Sequence, residues 1–206
     1  RLLKYVNNAL IPYINVDKFL ITSFYFPKIK RKKTKLIPSI LRHIILNKKP
    51  KQKNHILIYQ TSKSNIKMFK ILKKFTAEKF IVYGFGINKK EDNILFKEFS
   101  EKGFADDLAN SKAVITNGGF SLMSEAVFLH KPVLSIPVKK HYEQINNAVY
   151  LQKEGYGAFY EQLTRKNLKS FLMNLPKYRK NLRRYKQMNN EEAFRKIDKT
   201  INSLKP

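Results

Sequence analysis

The residues best suited to chemistry lie between Asn117 and Asn147. The tripeptide Asn117-Gly118-Gly119 directly follows a short apolar run, and Glu125 comes about two turns into the helix-like segment behind it. Two glycines after a strand permit a tight turn and a close backbone approach. A helix that begins there offers free N–H groups and roughly +0.5 of an elementary charge. These groups suit an anion such as a pyrophosphate, with the Glu125 carboxylate beyond it as an acceptor for sugar hydroxyl groups.

A second polar patch follows the next apolar run, which extends from 132 to 136 and ends at Pro137. Glu143, Gln144 and Asn147 share one helix start, because spacings of three and four residues fall on the same face. They could hold several hydroxyl groups of a second sugar. The order strand, glycine turn, helix, strand, polar turn, helix is a βαβα unit, and a nucleotide-sugar would use all of its polar groups together.

Alternating strand and helix patterns must position these residues. Strands are predicted at about 56–60, 79–85, 94–99, 113–117, 132–137 and 158–160, and helices after Ser64, at 105–111, at 142–154 and after Thr164. This pattern predicts an α/β fold with a Rossmann-like doubly wound parallel sheet of order 3-2-1-4-5-6. In that order the loop with Thr61 and Ser62 lies beside the glycine turn, so both residues are further candidates for the site. His141, at the second helix start, is another.

Several positions at set spacing carry a family resemblance. They are Asn117-Gly118-Gly119, Ser124-Glu125, Lys131-Pro132, Pro137, Glu143-Gln144, Asn147-Ala148 and Gly155. Together they resemble the donor-binding half of a GT-B glycosyltransferase. The chain is most similar to an uncharacterised, largely archaeal group, and more distantly to the bacterial enzyme that adds N-acetylglucosamine to the lipid-linked peptidoglycan precursor. The resemblance extends from about Ile56 to Gly157.

The resemblance implies a role for each candidate residue. Phe104 and the Ala105 backbone resemble the pair that contacts uracil, and Glu125 would hold the ribose. The diphosphate would be held by Gly118, Gly119, Phe120 and Ser121. Glu143 and Gln144 take the place of two family residues that read the donor hexose. The family pattern does not have Glu at 143, so the identity of the hexose is open.

The same resemblance implies an enzyme that transfers a sugar from a UDP-sugar co-substrate, with inversion, without a metal and without another cofactor. Helix dipole and N–H groups would neutralise the departing diphosphate. The general base would lie in an N-terminal domain, so this chain alone is expected to bind nucleotide without turnover. Two alternatives are a UDP-sugar epimerase, with Glu125 and Glu143 as acid and base, and a nucleic-acid-binding module that uses the basic clusters at 28–35 and 177–186.

Three regions are predicted along the chain. Residues 1–50 resemble the end of an N-terminal acceptor domain, with a strand at 19–25 followed by a basic linker that has one helical turn near Ile40. Residues 51–175 form the donor-binding domain. Residues 176–206 form a helical extension that is expected to cross back to the first domain. The chain begins at Arg1 rather than Met, and we expect it to be part of a longer protein.

The charge of the chain is extreme. Its 206 residues include 42 Lys and Arg against 15 Asp and Glu, a net charge of +27. This excess favours anionic partners, although an AT-rich coding bias would also explain it. An anionic membrane surface is the favoured partner because many related transferases use lipid-linked acceptors; nucleic acid is the less favoured one.

Other features of the composition limit the chemistry and the location. Hydrophobic residues make up 43% of the chain, as in a folded domain. The chain has no cysteine, and its four histidines lack metal-binding spacing. No apolar run reaches the roughly 18–20 residues of a membrane span, and the first 20 residues lack a signal-peptide cleavage site. The expected location is cytoplasmic, peripheral at a membrane.

Overall fold

The computed structural model describes residues 17–30, 32–60, 67–187 and 189–204. The described chain opens with a two-stranded parallel sheet of β1 (Phe19–Ser23) and β2 (Thr34–Pro38), in which Phe19 lies opposite Thr34. β1 agrees with the predicted strand. β2 corrects the sequence analysis, which assigned its residues to the linker, because the surrounding lysines obscure a strand of only five residues.

The main sheet has seven strands. They are β3 (His55–Tyr59), β4 (Lys79–Tyr83), β5 (Lys89–Glu91), β6 (Ile94–Phe96), β7 (Ala113–Thr116), β8 (Val133–Ser135) and β9 (Gly157–Phe159). Their order is β5-β6-β4-β3-β7-β8-β9, and all neighbours are parallel except β5 and β6. The six parallel strands therefore have the predicted order 3-2-1-4-5-6. The antiparallel edge strand β5 was not predicted, because its sequence, Lys-Lys-Glu, is entirely charged.

Eight helices are present in the described part of the chain. They are α1 (His43–Leu46), α2 (Lys67–Leu72), α3 (Glu101–Asn110), α4 (Phe120–Phe128), α5 (Tyr142–Lys153), α6 (Arg165–Met173), α7 (Leu175–Leu182) and α8 (Glu191–Asn202). α1 lies just after the helical turn predicted near Ile40. α3 begins four residues earlier than predicted, because the Ser100 hydroxyl caps it by accepting a hydrogen bond from the Gly103 N–H at 3.1 Å.

Alternation along the strands creates two hydrophobic layers, as a doubly wound sheet requires. On β3, Leu57 packs with α3, α4 and α5 on one face of the sheet, whereas Ile56 and Ile58 pack with α2 and α6 on the other. Phe24 and Ile45, both fully buried, join the first layer. Residues just after β1 and after β2 are therefore part of the core around α4.

The C-terminal part of the chain forms two helices rather than one long helix. α7 ends at Leu182 and α8 begins at Glu191 and packs against β2. Across the described residues, no helix is both long enough and apolar enough to cross a membrane. The predicted domain boundaries at 50 and 175 stay predictions.

Candidate functional site

A cavity of about 490 Å³ opens where the carboxyl ends of β3 and β7 meet. The strand order reverses between these two strands, and doubly wound sheets bind their ligands at this point. Nine predicted site residues line the cavity: Phe104, Asn117, Gly119, Phe120, Ser121, Glu125, His141, Glu143 and Gln144. Five further residues that were not predicted complete the wall: Arg42, Tyr59, Phe99, Thr116 and Leu122. The structure therefore brings most of the predicted site residues together in one cavity.

The two glycines of the turn serve different purposes. Gly118 has a φ of +96°, and a Cβ there would lie 2.8 Å from the Ser135 hydroxyl and 2.9 Å from the Gln144 carbonyl oxygen. Gly119 has an ordinary φ of −61°, and a Cβ there would meet no atom within 4 Å. Gly118 is therefore required by the fold, whereas Gly119 leaves room in front of the helix.

The N-terminus of α4 points into that room. Gly119 is its N-cap residue and provides no side-chain hydrogen bond, and Phe120, Ser121 and Leu122 of the first turn line the cavity. The first N–H groups of a helix have no acceptor within the helix, and the macrodipole adds a partial positive charge. This end of α4 can therefore bind an anionic group through its backbone.

The side-chain amides of Asn117 and Asn147 make hydrogen bonds at the glycine turn. The Asn117 amide donates to the carbonyl oxygen of Ile136 at 3.2 Å, and the Asn147 amide donates to that of Gly118 at 3.1 Å. Asn147 is 5% exposed, and neither it nor Gly118 or Ala105 is among the residues that line the cavity. The structure gives Asn147 a contact with the turn, in place of a side chain displayed to the cavity.

Glu125 is buried and paired with Arg42, a residue that the sequence analysis did not assign to the site. The Arg42 Nε lies 2.6 Å from Oε1 of Glu125, and its Nη2 lies 2.9 Å from Oε2. These hydrogen bonds raise the pKa of Arg42 above its ordinary value. A carboxylate has about four lone-pair positions, so Glu125 can still accept from a ligand.

Arg42 also reaches the rim and the aromatic wall of the cavity. Its Nη1 lies 3.3 Å from Oε1 of Glu101, and its guanidinium carbon lies 5.9 Å from the centroid of the Phe104 ring. Arg42 and Glu125 are 83 positions apart in the chain. Within the acid-free basic linker no local pattern distinguishes Arg42 from its neighbouring cations, which is why sequence reasoning missed it.

Aromatic rings form the side of the cavity predicted for a nucleobase. Phe104 contacts Tyr59, Tyr83 and Phe99, with ring centroids 5.5, 5.2 and 5.5 Å away. Phe104 is only 4% exposed, and Ala105 is fully buried behind it. A planar ligand would therefore meet the edge of a packed aromatic cluster.

The start of α5 forms the opposite wall. His141 caps this helix through Nδ1, which accepts from the Gln144 N–H at 3.5 Å, and Gln144 Oε1 accepts from the Val138 N–H at 2.9 Å. The Glu143 side chain is exposed and, within the described part of the chain, makes no hydrogen bond or ion pair. Glu143 and the Gln144 NH₂ group are therefore available to a ligand.

Two other predictions concern the same region. Thr61 and Ser62 lie outside the described residues. Among the residues that are described, no three His, Asp or Glu side chains come together in a group that could hold a metal ion.

Comparison with known proteins identifies a family that matches most of the chain. Residues 2–176 match the model of glycosyl transferase family 1. An uncharacterised glycosyltransferase of Methanosarcina mazei is 39% identical over 77 residues, which cover 37% of this chain and 20% of the relative. One from Methanosarcina acetivorans is 40% identical over 74 residues, which cover 36% and 19%.

Solved structures match over a longer span but with low identity. The glycotransferase of kitacinnamycin has a TM-score of 0.63 at 14% identity, over 81% of this chain and 49% of its own. A variant of Os79 from O. sativa in complex with UDP has a TM-score of 0.59 at 12% identity, over 82% and 50%. CalG4, the calicheamicin glycosyltransferase, has a TM-score of 0.58 at 15% identity, over 85% and 49%.

The chain therefore spans about a fifth of the curated relatives that it matches and about half of the solved structures. The likeness to these GT-B structures shows the fold, and the family match covers most of the sequence. The chain belongs to glycosyl transferase family 1.

Proposed function

We propose that this chain is the nucleotide-sugar donor-binding domain of a glycosyltransferase. One observation carries the proposal: the uncapped N-terminus of α4 opens through Gly119 into the cavity at the switch point of the sheet. Such an end binds a diphosphate through backbone N–H groups and the helix dipole. The Glu125 carboxylate lines the same cavity, six residues after Gly119, and would accept from the ribose hydroxyl groups.

UDP is the nucleotide that we propose for this cavity. The resemblance of Phe104 and Ala105 to a uracil-contacting pair supports it, and one neighbour of the same fold was solved in complex with UDP. Glu143 would accept from a hexose hydroxyl group, and the Gln144 NH₂ group would donate to one. A carboxylate at position 143 favours a sugar that presents a hydroxyl group, rather than a charged acid, at this contact.

The proposed reaction is a direct, inverting displacement. The acceptor oxygen forms a bond to the anomeric carbon while the bond from that carbon to the diphosphate oxygen breaks, and the electron pair goes to the departing diphosphate. The N-terminus of α4 stabilises that charge without requiring a metal. The acceptor proton goes to a general base that we place in another domain, so the chain alone binds the donor without turnover.

Pairing of Glu125 with Arg42 weighs against the epimerase alternative. An epimerase needs carboxylates that exchange protons with the sugar. Both oxygens of Glu125 accept hydrogen bonds from a guanidinium group, which does not give up its proton. Of the two carboxylates proposed as acid and base, only Glu143 then remains, and it would have to serve both proton transfers.

The acceptor is proposed to be lipid-linked, as the resemblance to the peptidoglycan-precursor enzyme implies, with the protein peripheral at an anionic membrane. No acidic residue occurs between Glu161 and Glu191, and Lys177 and Lys180 are exposed on α7 within that stretch. Each cation near such a surface contributes about 1 kcal/mol.

Vesicle sedimentation tests the membrane proposal. The double variant Lys177→Gln/Lys180→Gln should bind vesicles of phosphatidylserine and phosphatidylcholine about tenfold or more weakly than the wild type does. The control variant Lys90→Gln/Lys102→Gln removes the same charge from other exposed positions and should bind as the wild type does. Equal losses of vesicle affinity in both variants would show that net charge alone explains the binding, and would contradict a specific membrane-binding surface on α7.

Thermal unfolding with and without nucleotides tests the donor site. UDP at about 100 times its dissociation constant adds about 2.7 kcal/mol, a rise in Tm of roughly 5–10 °C for a domain of this size. UMP should give a smaller rise, and ADP and GDP little or none. Equal shifts with all four compounds, or none with UDP, would contradict the proposal.

The variant Glu125→Ala should lose the UDP shift. Because it leaves the Arg42 charge without its partner, it should also lower the Tm without ligand. The double variant Arg42→Ala/Glu125→Ala removes both charges, so it should recover part of that Tm while still failing to respond to UDP. A UDP shift in either variant would exclude Glu125 from the donor site.

A further inference from the structure

The segment that precedes α8 is hydrogen-bonded to the residues that carry Arg42. The Asn190 side chain accepts from the Leu41 N–H at 2.9 Å and donates to the Leu41 carbonyl oxygen at 2.9 Å. The Gln187 amide donates to the Ser39 carbonyl oxygen at 2.7 Å. Three hydrogen bonds therefore tie two side chains near the C-terminus to the backbone at 39–41, about 150 positions earlier in the chain.

The other side of the same segment contacts α4. The Ser39 hydroxyl donates to that of Ser124 at 3.0 Å between two buried residues, and Arg42 forms its two hydrogen bonds with Glu125. Ser124 and Glu125 are neighbours in the helix whose N-terminus opens into the cavity. Residues 39–42 thus lie between the C-terminal hydrogen bonds and the donor site.

The polar backbone groups of Leu41 belong to neither β2 nor α1. Arg42 is the extended N-cap residue of α1, with φ −62° and ψ 140°; its carbonyl oxygen accepts from the Ile45 and Leu46 N–H groups at 2.9 and 3.2 Å, but its side chain makes no capping hydrogen bond. An arginine side chain carries about 2 kcal/mol of rotamer entropy, so it needs a fixed backbone to stay in one geometry. The Asn190 amide supplies this by pairing with both polar groups of Leu41, as a neighbouring strand would.

The Gln187 contact has an anchor in the core. The hydroxyl group of Tyr185, which is 8% exposed, donates to Gln187 Oε1 at 2.6 Å. Tyr185 packs in the same hydrophobic layer as Leu57 and α4. The chain of contacts from Tyr185 through Gln187 to Ser39 is therefore fixed at both ends.

We propose that Gln187 and Asn190, which we call the latch, position Arg42 in the donor cavity. Asn190 is a positioning residue: it acts on the nucleotide through Leu41 and Arg42. Arg42 in turn orients the Glu125 carboxylate and faces the Phe104 ring, so the latch sets the geometry of the nucleoside end of the site. This inference rests on the proposed donor-binding function.

Isothermal titration of UDP into the full chain tests the latch. Asn190→Ala should raise the dissociation constant about fivefold, since it removes two hydrogen bonds from the segment that holds Arg42, and Arg42→Ala should raise it at least as much. The double variant should bind as Arg42→Ala alone does, because the latch acts through that side chain. Unchanged UDP affinity in Asn190→Ala, or independent losses that multiply in the double variant, would overturn the inference.

The matched control is Asn181→Ala. The Asn181 amide also joins two distant segments, by donating to the Gly155 carbonyl oxygen at 3.1 Å, and among the described residues its side chain makes no hydrogen bond with the cavity wall. It should lower the Tm without changing the affinity for UDP. An equal loss of UDP affinity in Asn181→Ala would reduce the effect of Asn190→Ala to general destabilisation and overturn the positioning role.

Amide hydrogen exchange without nucleotide separates the latch from the donor site. Exchange at residues 41–46 should be faster in Asn190→Ala than in the wild type or in Asn181→Ala, because the Leu41 N–H loses its acceptor. Unchanged exchange there overturns the latch whatever the nucleotide result. Failure of the wild type to bind UDP, by contrast, overturns the proposed function and with it the purpose of the latch.

Discussion

The two edges of the main sheet differ in how their backbone polar groups are paired. At the carboxyl edge the N-terminus of α4 opens into the cavity without a side-chain cap, and Gly119 leaves space before it. At the amino edge the ammonium group of Lys131, 4% exposed, donates to the carbonyl oxygens of Ser111 at 2.9 Å and Lys51 at 2.5 Å. Arg179 donates there to the Lys112 carbonyl oxygen at 3.1 Å.

This difference follows from the direction of the parallel strands. Helices begin at the carboxyl edge and end at the amino edge, so one edge presents N–H groups and the other presents carbonyl oxygens. Ser111, whose carbonyl oxygen binds Lys131, is the C-cap residue of α3. Cations therefore complete the structure at the amino edge, whereas the carboxyl edge is left open to an anion. Changes at the first edge should affect stability without affecting UDP binding, whereas changes at the second edge should affect UDP binding.

The largest expected effect is at the amino edge. Lys131→Ala leaves the Ser111 and Lys51 carbonyl oxygens without their donor and removes a buried stem, so the free energy of unfolding should fall by about 3 kcal/mol. Urea unfolding measures this. The exposed control Lys169→Ala should stay within about 0.5 kcal/mol of the wild type. The folded fraction of Lys131→Ala should still bind UDP with wild-type affinity, and a loss of affinity would break the division between the edges.

The pH dependence of stability comes next in size. Burial lowers the pKa of Lys131 from 10.5 to about 8, and the charge of Arg179 adds to this effect. Between these two values the unfolded chain binds more protons than the folded one, so the free energy of unfolding should rise with pH. The rise should be on the order of 2 kcal/mol between pH 7 and 9.5.

Urea unfolding across that pH range checks the prediction. Lys131→Met has no group to titrate at this position, so its free energy of unfolding should lack the rise. The range stops below pH 10 because burial raises the pKa of Tyr25 to about 12, which destabilises the folded chain once unfolded tyrosines ionise. Identical pH profiles of the wild type and the variant would contradict the buried ammonium.

The smallest expected change in free energy is at the carboxyl edge, and it concerns UDP binding rather than stability. Gly119→Ala fits its backbone without a clash, so stability should change by less than about 1 kcal/mol. Its methyl group occupies the space before α4, so the dissociation constant for UDP should rise about tenfold, or about 1.4 kcal/mol, in isothermal titration. Gly86→Ala, where φ is +65°, should do the reverse, with lower stability and unchanged affinity. Normal UDP binding in Gly119→Ala would show that the phosphates of UDP do not bind at the N-terminus of α4.

Local patterns in the sequence were enough to predict most of the sheet and of the cavity wall. Apolar runs followed by turns identify β3, β7 and β8, and the strand order then places Glu125 and Glu143 around one crevice. β5 escaped prediction because pairing with its neighbour, rather than its own charged sequence, makes it a strand. Arg42 escaped because its role depends on a partner in α4 and on Asn190, neither of which any local pattern connects to it.

The most direct test of the donor site is amide hydrogen exchange of the wild-type chain with and without saturating UDP. Our account predicts slower exchange at residues 119–122, where N–H groups at the start of α4 would bind the diphosphate, and no change at residues 48–54 on the basic amino edge. Protection by UDP confined to the amino edge, with none at 119–122, would contradict the donor site at α4.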